Sequence, residues 1–512
     1  MNEKIILLSV GLLFLLFSIF FHVSKKEKHS LVFLFCSAIF FFFFASILDS
    51  FLNVWDERFH ALVAKNFLKH WLMPTLYDDP IVKITYDRWD RYHIWLHKQP
   101  LFLWQIALSY KLFGANEFSL RLPSVILSGI TVFAIYRSGK ILGNHTVGYY
   151  ASLLFVSSYY LLQLLSGWQT IDHNDTSFFA YISLSLWSWI EYIHSRKKYW
   201  IILIGIFSGF AILCKWLVGL LVYLAWGVFS LRENKFNFKK YSGIFFAIII
   251  TAIIILPWQL LILKWYPTEA KAAYEYYSTK HFFEVVDGHE GTWNYHFVIM
   301  SDLFGTITPY LLIHALIVFY LKTKNKNISI GLIVCIVFVY VLFTFAQTKM
   351  SSFTFILVLP IYVALGFLFD YLENKFYKLK IPSAISKILV FILLFYLAIS
   401  KIDIISLNEM HGVWGKEMDC FARLKHNKKI FQRITLPPNS VLFNIPGRHC
   451  IEAMFYTGFP SYDIVPNYEQ YQDMKKKNRI IALFPQAKDT IPDYLKEDRS
   501  VLFLKDTLEL CE

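Results

Sequence analysis

The sequence predicts an all-α polytopic membrane protein of about 12 spans, followed by a small extracytoplasmic α/β domain. Three observations carry that prediction. Hydrophobic residues make up 56% of the 512 and charged residues only 17%, against roughly 25% charged in a typical soluble domain. The apolar residues fall in unbroken runs such as Leu31 to Phe44. Lys and Arg gather in alternate connecting loops, which is how membrane orientation is encoded.

Runs of suitable length lie at 4–22, 31–50, 121–141, 146–165, 176–193, 199–213, 216–231, 241–263, 303–321, 329–346, 353–371 and 387–402. The first is too long for a secretory signal and lacks a small-residue cleavage site, so it reads as a retained span. Lys25, Lys26 and Lys28 fill the first loop, then Arg137 with Lys140, then Arg196 to Lys198. Arg232, Lys235, Lys239 and Lys240 follow, then Lys322, Lys324 and Lys326, then Lys375, Lys378 and Lys380. One orientation places all of these in the cytoplasm. Both termini are then outside. So are Asp56 to Arg121, Asp172 to Asp175, the turn at Lys215, segment 264–302, Lys349 and everything after about residue 403. The expected organisation is a membrane domain over 1–402, with its first extracytoplasmic loop at 53–120, and a separate domain over 403–512.

That first loop contains Arg58 to Trp71 and Pro100 to Phe113, too short to span comfortably and better suited to helices lying in the interface. In the tail, Val441 to Ile445, Arg479 to Phe484 and Ser500 to Leu504 are rich in strand formers and separated by turn residues such as Pro437-Pro438-Asn439. A helical stretch, Cys450 to Tyr456, intervenes. Cys36, Cys214 and Cys335 lie in apolar runs. Among Cys420, Cys450 and Cys511 one disulfide with a thiol left over is open. The net charge of +13 is accounted for by the basic loops, so it does not point to nucleic acid.

Charge at the edge of a bilayer is costly and points to a site. Asp56-Glu57-Arg58 emerges directly from a span. A carboxylate there suits a general base that takes a proton from an acceptor hydroxyl; acids at a helix start, favoured by the dipole, explain it equally well. Arg58, Lys98, Lys215 and Lys349 fall on the same side of the membrane and suit an anion such as a lipid phosphate. A lone Lys at a span end more often snorkels to the interface. Asp172 and Asp175 open a span in Asp172-His173-Asn174-Asp175-Thr176, where capping accounts for either. His281 and His289 are weak metal candidates, because their spacing matches no compact ligand motif.

The order Asp56-Glu57-Arg58 with Ala61 and Ala64, then Lys98-Gln99-Pro100-Leu101, Leu112-Phe113-Gly114 and Glu117-Phe118-Ser119-Leu120-Arg121-Leu122-Pro123 resembles a known family. So do Pro257-Trp258, His289-Glu290-Gly291-Thr292-Trp293 and Thr348-Lys349-Met350 further on. The family is the C-type membrane glycosyltransferases that use polyprenyl-phosphate sugars, the group holding aminoarabinose transferases and protein O-mannosyltransferases. The resemblance covers about residues 50–370, is strong over 55–123 and weak in the tail. It implies inverting transfer of a sugar from a polyprenyl-phosphate donor to a lipid A-like lipid, a protein or another glycan. The reaction would take place at the outer face of a bacterial inner membrane, with the tail in the periplasm. It implies Asp56 as base with Glu57 in support, Asp172 or Asp175 as a second acid, and Arg58, Lys98 and Lys349 on the lipid phosphate. Lys215 stands where the family has a Lys-Gly-Pro turn, here Lys215-Trp216-Leu217. His97-Lys98-Gln99-Pro100 also departs from the usual Lys-Pro-Pro with a preceding Glu, which makes His97 a weak metal candidate in place of that Glu, and a divalent metal stays open as a cofactor. The competing class is a lipid or glycan flippase, whose signature would be mid-span charges, inverted repeats or broken helices. None is found.

Overall fold

The computed structural model describes residues 2–82, 89–169, 173–234, 241–400, 402–404, 407, 418–485 and 491–511. Asp172 and the basic residues Lys235, Lys239 and Lys240 lie outside the described residues. The chain divides into two compact units. One holds Met1–Ser46, Pro123–Leu165 and His173–Asp403; the other holds Ile47–Leu122, Ser166–Asp172 and Ile404–Glu512.

Helix occupies each of the twelve apolar runs of the first unit. Among the described residues, five helices are long and apolar enough to cross a membrane: Glu3–Val23, Glu27–Ser46, Glu117–Leu142, Ser242–Trp265 and Lys326–Phe345. Tyr295–Phe304 and Thr308–Lys322 make a sixth if the 84° bend between them is one broken span. Of the remaining runs, 176–193 and most of 353–371 lie in the unbroken but less apolar helices His173–Ser195 and Val358–Lys378, and the others form helices that are shorter or interrupted. The run 146–165, for example, is His145–Val156 and Tyr159–Ser166. Tight crossings use small residues. A Cβ on Gly139 would sit 2.7 Å from the Gly148 Cα, so these backbones approach to a distance only glycine permits.

In the second unit, Asp56–Asn66 and Leu101–Phe113 are helices, the two expected in the first loop. The tail carries β1 (Ser440–Phe443), β2 (Ile480–Leu483) and β3 (Leu502–Phe503), paired in parallel in the order β1-β2-β3. β1 is buried along its whole length, as parallel strands covered on both faces are. Parallel neighbours need crossover connections, and helices His449–Thr457 and Tyr468–Lys476 lie between β1 and β2. The second of these starts at Asn467 with a capping box closed by Gln470. Cys420 and Cys511 form a disulfide in an apolar cluster with Phe51 and Leu424. Cys450 is buried.

Candidate active site

The site begins at a strained residue. Trp55 precedes the Asp56–Asn66 helix with φ 64° and ψ −130° and provides no side-chain cap. Positive φ is uncommon outside glycine and costs of order 1–3 kcal/mol, so the surroundings have to impose it. Asp56 is then the first helical residue. Its Oδ2 lies 3.2 Å from the Lys98 ammonium, and the two side chains are 10% and 12% exposed. The pair is therefore sheltered without being sealed. A carboxylate so placed can accept a proton, and the neighbouring ammonium can neutralise an anion.

Glu57, next in sequence, is held quite differently. Its Oε1 accepts from Arg121 Nε at 2.8 Å. Its Oε2 accepts from Arg121 Nη2 at 3.0 Å, the Asn53 backbone N–H at 2.7 Å and Asn53 Nδ2 at 2.8 Å. Arg121 also donates to the carbonyls of Asp49 at 2.7 Å and Phe51 at 3.0 Å. Gly167 backs this knot: φ is +79°, and a Cβ there would come within 2.2 Å of Asn53 Nδ2. Glu57 and Arg121 are fully buried. They fix the chain on both sides of Asp56. Arg58 is also fully buried and donates to Glu452 Oε1 at 3.1 Å.

The other unit holds a second polar group. The Lys215 ammonium pairs with Asp175 Oδ1, lies 3.4 Å from Ser352 Oγ and sits 5.3 Å over the Phe353 ring. Trp216 follows with φ 90°, the counterpart here of the strain at Trp55. Lys349 lies three residues before Ser352. Its ammonium donates to the carbonyls of Phe343 at 3.0 Å and Thr344 at 2.7 Å, closing the end of the Lys326–Phe345 helix as a cation at a helix C-terminus does. An ammonium has three donors, so among the described residues one remains beyond these two carbonyls. Burial pushes the Lys349 ammonium below the usual lysine range. Its backbone N–H donates to the His289 carbonyl at 2.9 Å, which ties segment 281–291 to Gln347–Lys349.

His97 stacks on Trp89 at 4.1 Å, and His281 Nδ1 lies 3.1 Å from the Tyr276 carbonyl. Among the described residues no three His, Cys, Asp or Glu side chains gather as metal ligands.

Three residues of the site carried no assignment from sequence. Arg121 was visible only as part of a motif. Arg448 and Glu452 belong to the tail, where the sole signal was a His449/Glu452 pair three apart in an apolar helix, a spacing that puts both on one face.

Residues 97–260 match the family model for dolichyl-phosphate-mannose-protein mannosyltransferase. Undecaprenyl phosphate-alpha-4-amino-4-deoxy-L-arabinose arabinosyl transferase 1 of Pseudomonas fluorescens is 27% identical over 165 residues, 31% of this chain and 29% of that protein. The chain thus matches less than a third of the length of that curated relative. ArnT from Cupriavidus metallidurans, solved bound to undecaprenyl phosphate, superposes with a TM-score of 0.64 at 13% identity over 92% of this chain and 89% of that one. The archaeal oligosaccharyltransferase AglB from Archaeoglobus fulgidus, in complex with an inhibitory peptide and a dolichol-phosphate, gives a TM-score of 0.50 at 11% identity, covering 83% of this chain and 64% of that one. In a matched segment, in sequence and in fold, the chain is similar to the C-type membrane glycosyltransferases that use polyprenyl-phosphate sugars.

Proposed function

We propose that the protein is an inverting glycosyltransferase that moves a sugar from a polyprenyl-phosphate donor to a hydroxyl or amine acceptor at the outer face of the bacterial cytoplasmic membrane. The observation that carries this reading is Asp56, sheltered beside Lys98 at 3.2 Å and placed by a strained Trp55. Asp56 takes the acceptor's proton as the acceptor oxygen or nitrogen bonds to the anomeric carbon. The bond from that carbon to the phosphate oxygen breaks, and the polyprenyl phosphate leaves. One displacement inverts the centre. Of the four cations expected on the phosphate, where charge develops in the transition state, Lys98, Lys215 and Lys349 keep that assignment, and Arg58, buried against Glu452, is not assigned to it. Asp175, paired with Lys215, is assigned to hold that lysine, and Glu57 to hold the chain around Asp56. The twelve helical runs are assigned as spans, with the tail in the periplasm, and the acceptor is a lipid A-like lipid, a protein or a glycan.

The test is Asp56→Asn. An amide keeps the shape but cannot take the proton, so transfer should fall by about 10²–10⁴-fold while polyprenyl-phosphate binding persists. If Asp56 served only the helix dipole, the change would cost roughly 0.3–1 kcal/mol of helix stability and transfer would continue. Transfer at the unmodified rate overturns the assignment.

A further inference from the structure

One helix of the tail holds the chain on both sides of Asp56. Just before it, the Arg448 guanidinium lies 4.3 Å over the Trp55 ring and pairs with Asp90 at 2.9 Å. Two residues after it, the buried Arg58 donates to Glu452 at 3.1 Å. The other Glu452 oxygen meets His449 Nδ1 at 3.1 Å, and His449 Nε2 accepts the Cys511 backbone N–H at 3.2 Å. Because Nε2 accepts, the ring proton sits on Nδ1 and is donated to Glu452. Cys511 is in turn anchored by its disulfide to Cys420.

A buried Arg–Glu pair is weak evidence for stability, since desolvation offsets the attraction; its best-attested use is to fix a register. A left-handed, non-glycine Trp55 likewise persists only where its neighbours impose it. Both requirements fall on the residues flanking Asp56, and both are met from Arg448–Glu452. We propose that Arg448 and Glu452 are positioning residues for the catalytic carboxylate, with His449 and the Cys420–Cys511 bridge fixing Glu452 in turn. The tail thus completes the geometry of Asp56 without touching substrate. This rests on Asp56 being the base.

The test uses the full-length protein in membranes with Glu452→Gln, Arg448→Gln and the double variant Cys420→Ser/Cys511→Ser. Turnover is normalised to the amount of enzyme that binds polyprenyl phosphate. Misplacement of a reacting group by about 1 Å can cost 10²-fold. Glu452→Gln should therefore lower kcat roughly 10- to 100-fold, with KM for the donor unchanged and faster amide exchange at residues 55–58. Arg448→Gln and the cysteine variant should act in the same direction and less strongly. If Glu452→Gln does not fold, Arg448→Gln carries the test alone. Unchanged kcat overturns the proposal, and so does loss of donor binding in step with activity, which a purely structural tail would give. If the unmodified protein transfers no sugar, the functional reading fails by itself. Amide exchange then decides the positioning, and unchanged exchange at 55–58 overturns it.

Discussion

Glu57→Gln separates the two adjacent acids. Each oxygen of the Glu57 carboxylate faces donors only: Arg121 Nε on one, and Arg121 Nη2, the Asn53 N–H and Asn53 Nδ2 on the other. An amide offers one acceptor oxygen and an NH₂ group. Whichever way Gln turns, its NH₂ meets a donor, and Arg121 is left buried without its counter-charge. Removing one partner of a buried pair costs about 3–5 kcal/mol, a large share of the stability of an ordinary domain. Glu57→Gln should thus lower the thermal unfolding midpoint by several degrees and yield less protein in the membrane. Turnover per folded molecule should fall far less than in Asp56→Asn. The assay is thermal unfolding in detergent alongside transfer from a polyprenyl-phosphate sugar for both variants. Equal midpoints for Glu57→Gln and the unmodified protein would refute the reasoning, because four donors cannot lose a carboxylate silently.

Lys98→Ala and Lys349→Ala each remove a charge-assisted contact worth about 1.5–3 kcal/mol, so each should slow transfer roughly 10-fold or more while the protein still inserts; full activity in both refutes the phosphate assignment. The Ser500 backbone N–H and the Lys475 ammonium hold the Asp498 carboxyl well below the usual carboxylate range. With the folded value depressed, that stabilisation is present above the ordinary carboxylate pKa and lost as pH falls through the folded one. Asp498→Asn should therefore flatten the acid-induced unfolding of the tail, measured by circular dichroism on lowering the pH. A cysteine placed at Lys324 should resist a membrane-impermeant thiol reagent applied to intact cells, and labelling there would invert the orientation.

The strongest signals in the chain were local. Hydrophobic runs and basic loops are properties of composition along the sequence, so helices form in all twelve runs. The strand-former runs of the tail likewise become β1, β2 and β3. Asp56-Glu57-Arg58 was legible because three charges beside an apolar run are conspicuous. Their separate duties were not. Neighbours in sequence turn to different partners: Asp56 to Lys98, Glu57 to Arg121 and Arg58 to Glu452. The last pair is separated by 394 residues, and no periodicity reaches that far.

By itself the sequence determined the membrane character, the helical runs and which acids and lysines stand as candidates, because hydrophobicity and charge act residue by residue. Only the tertiary structure decided which acid stays partly open and which is locked. A carboxylate's role depends on the donors that surround it and on its access to solvent, and here those donors arrive from Asn53, Lys98, Arg121 and the distant tail.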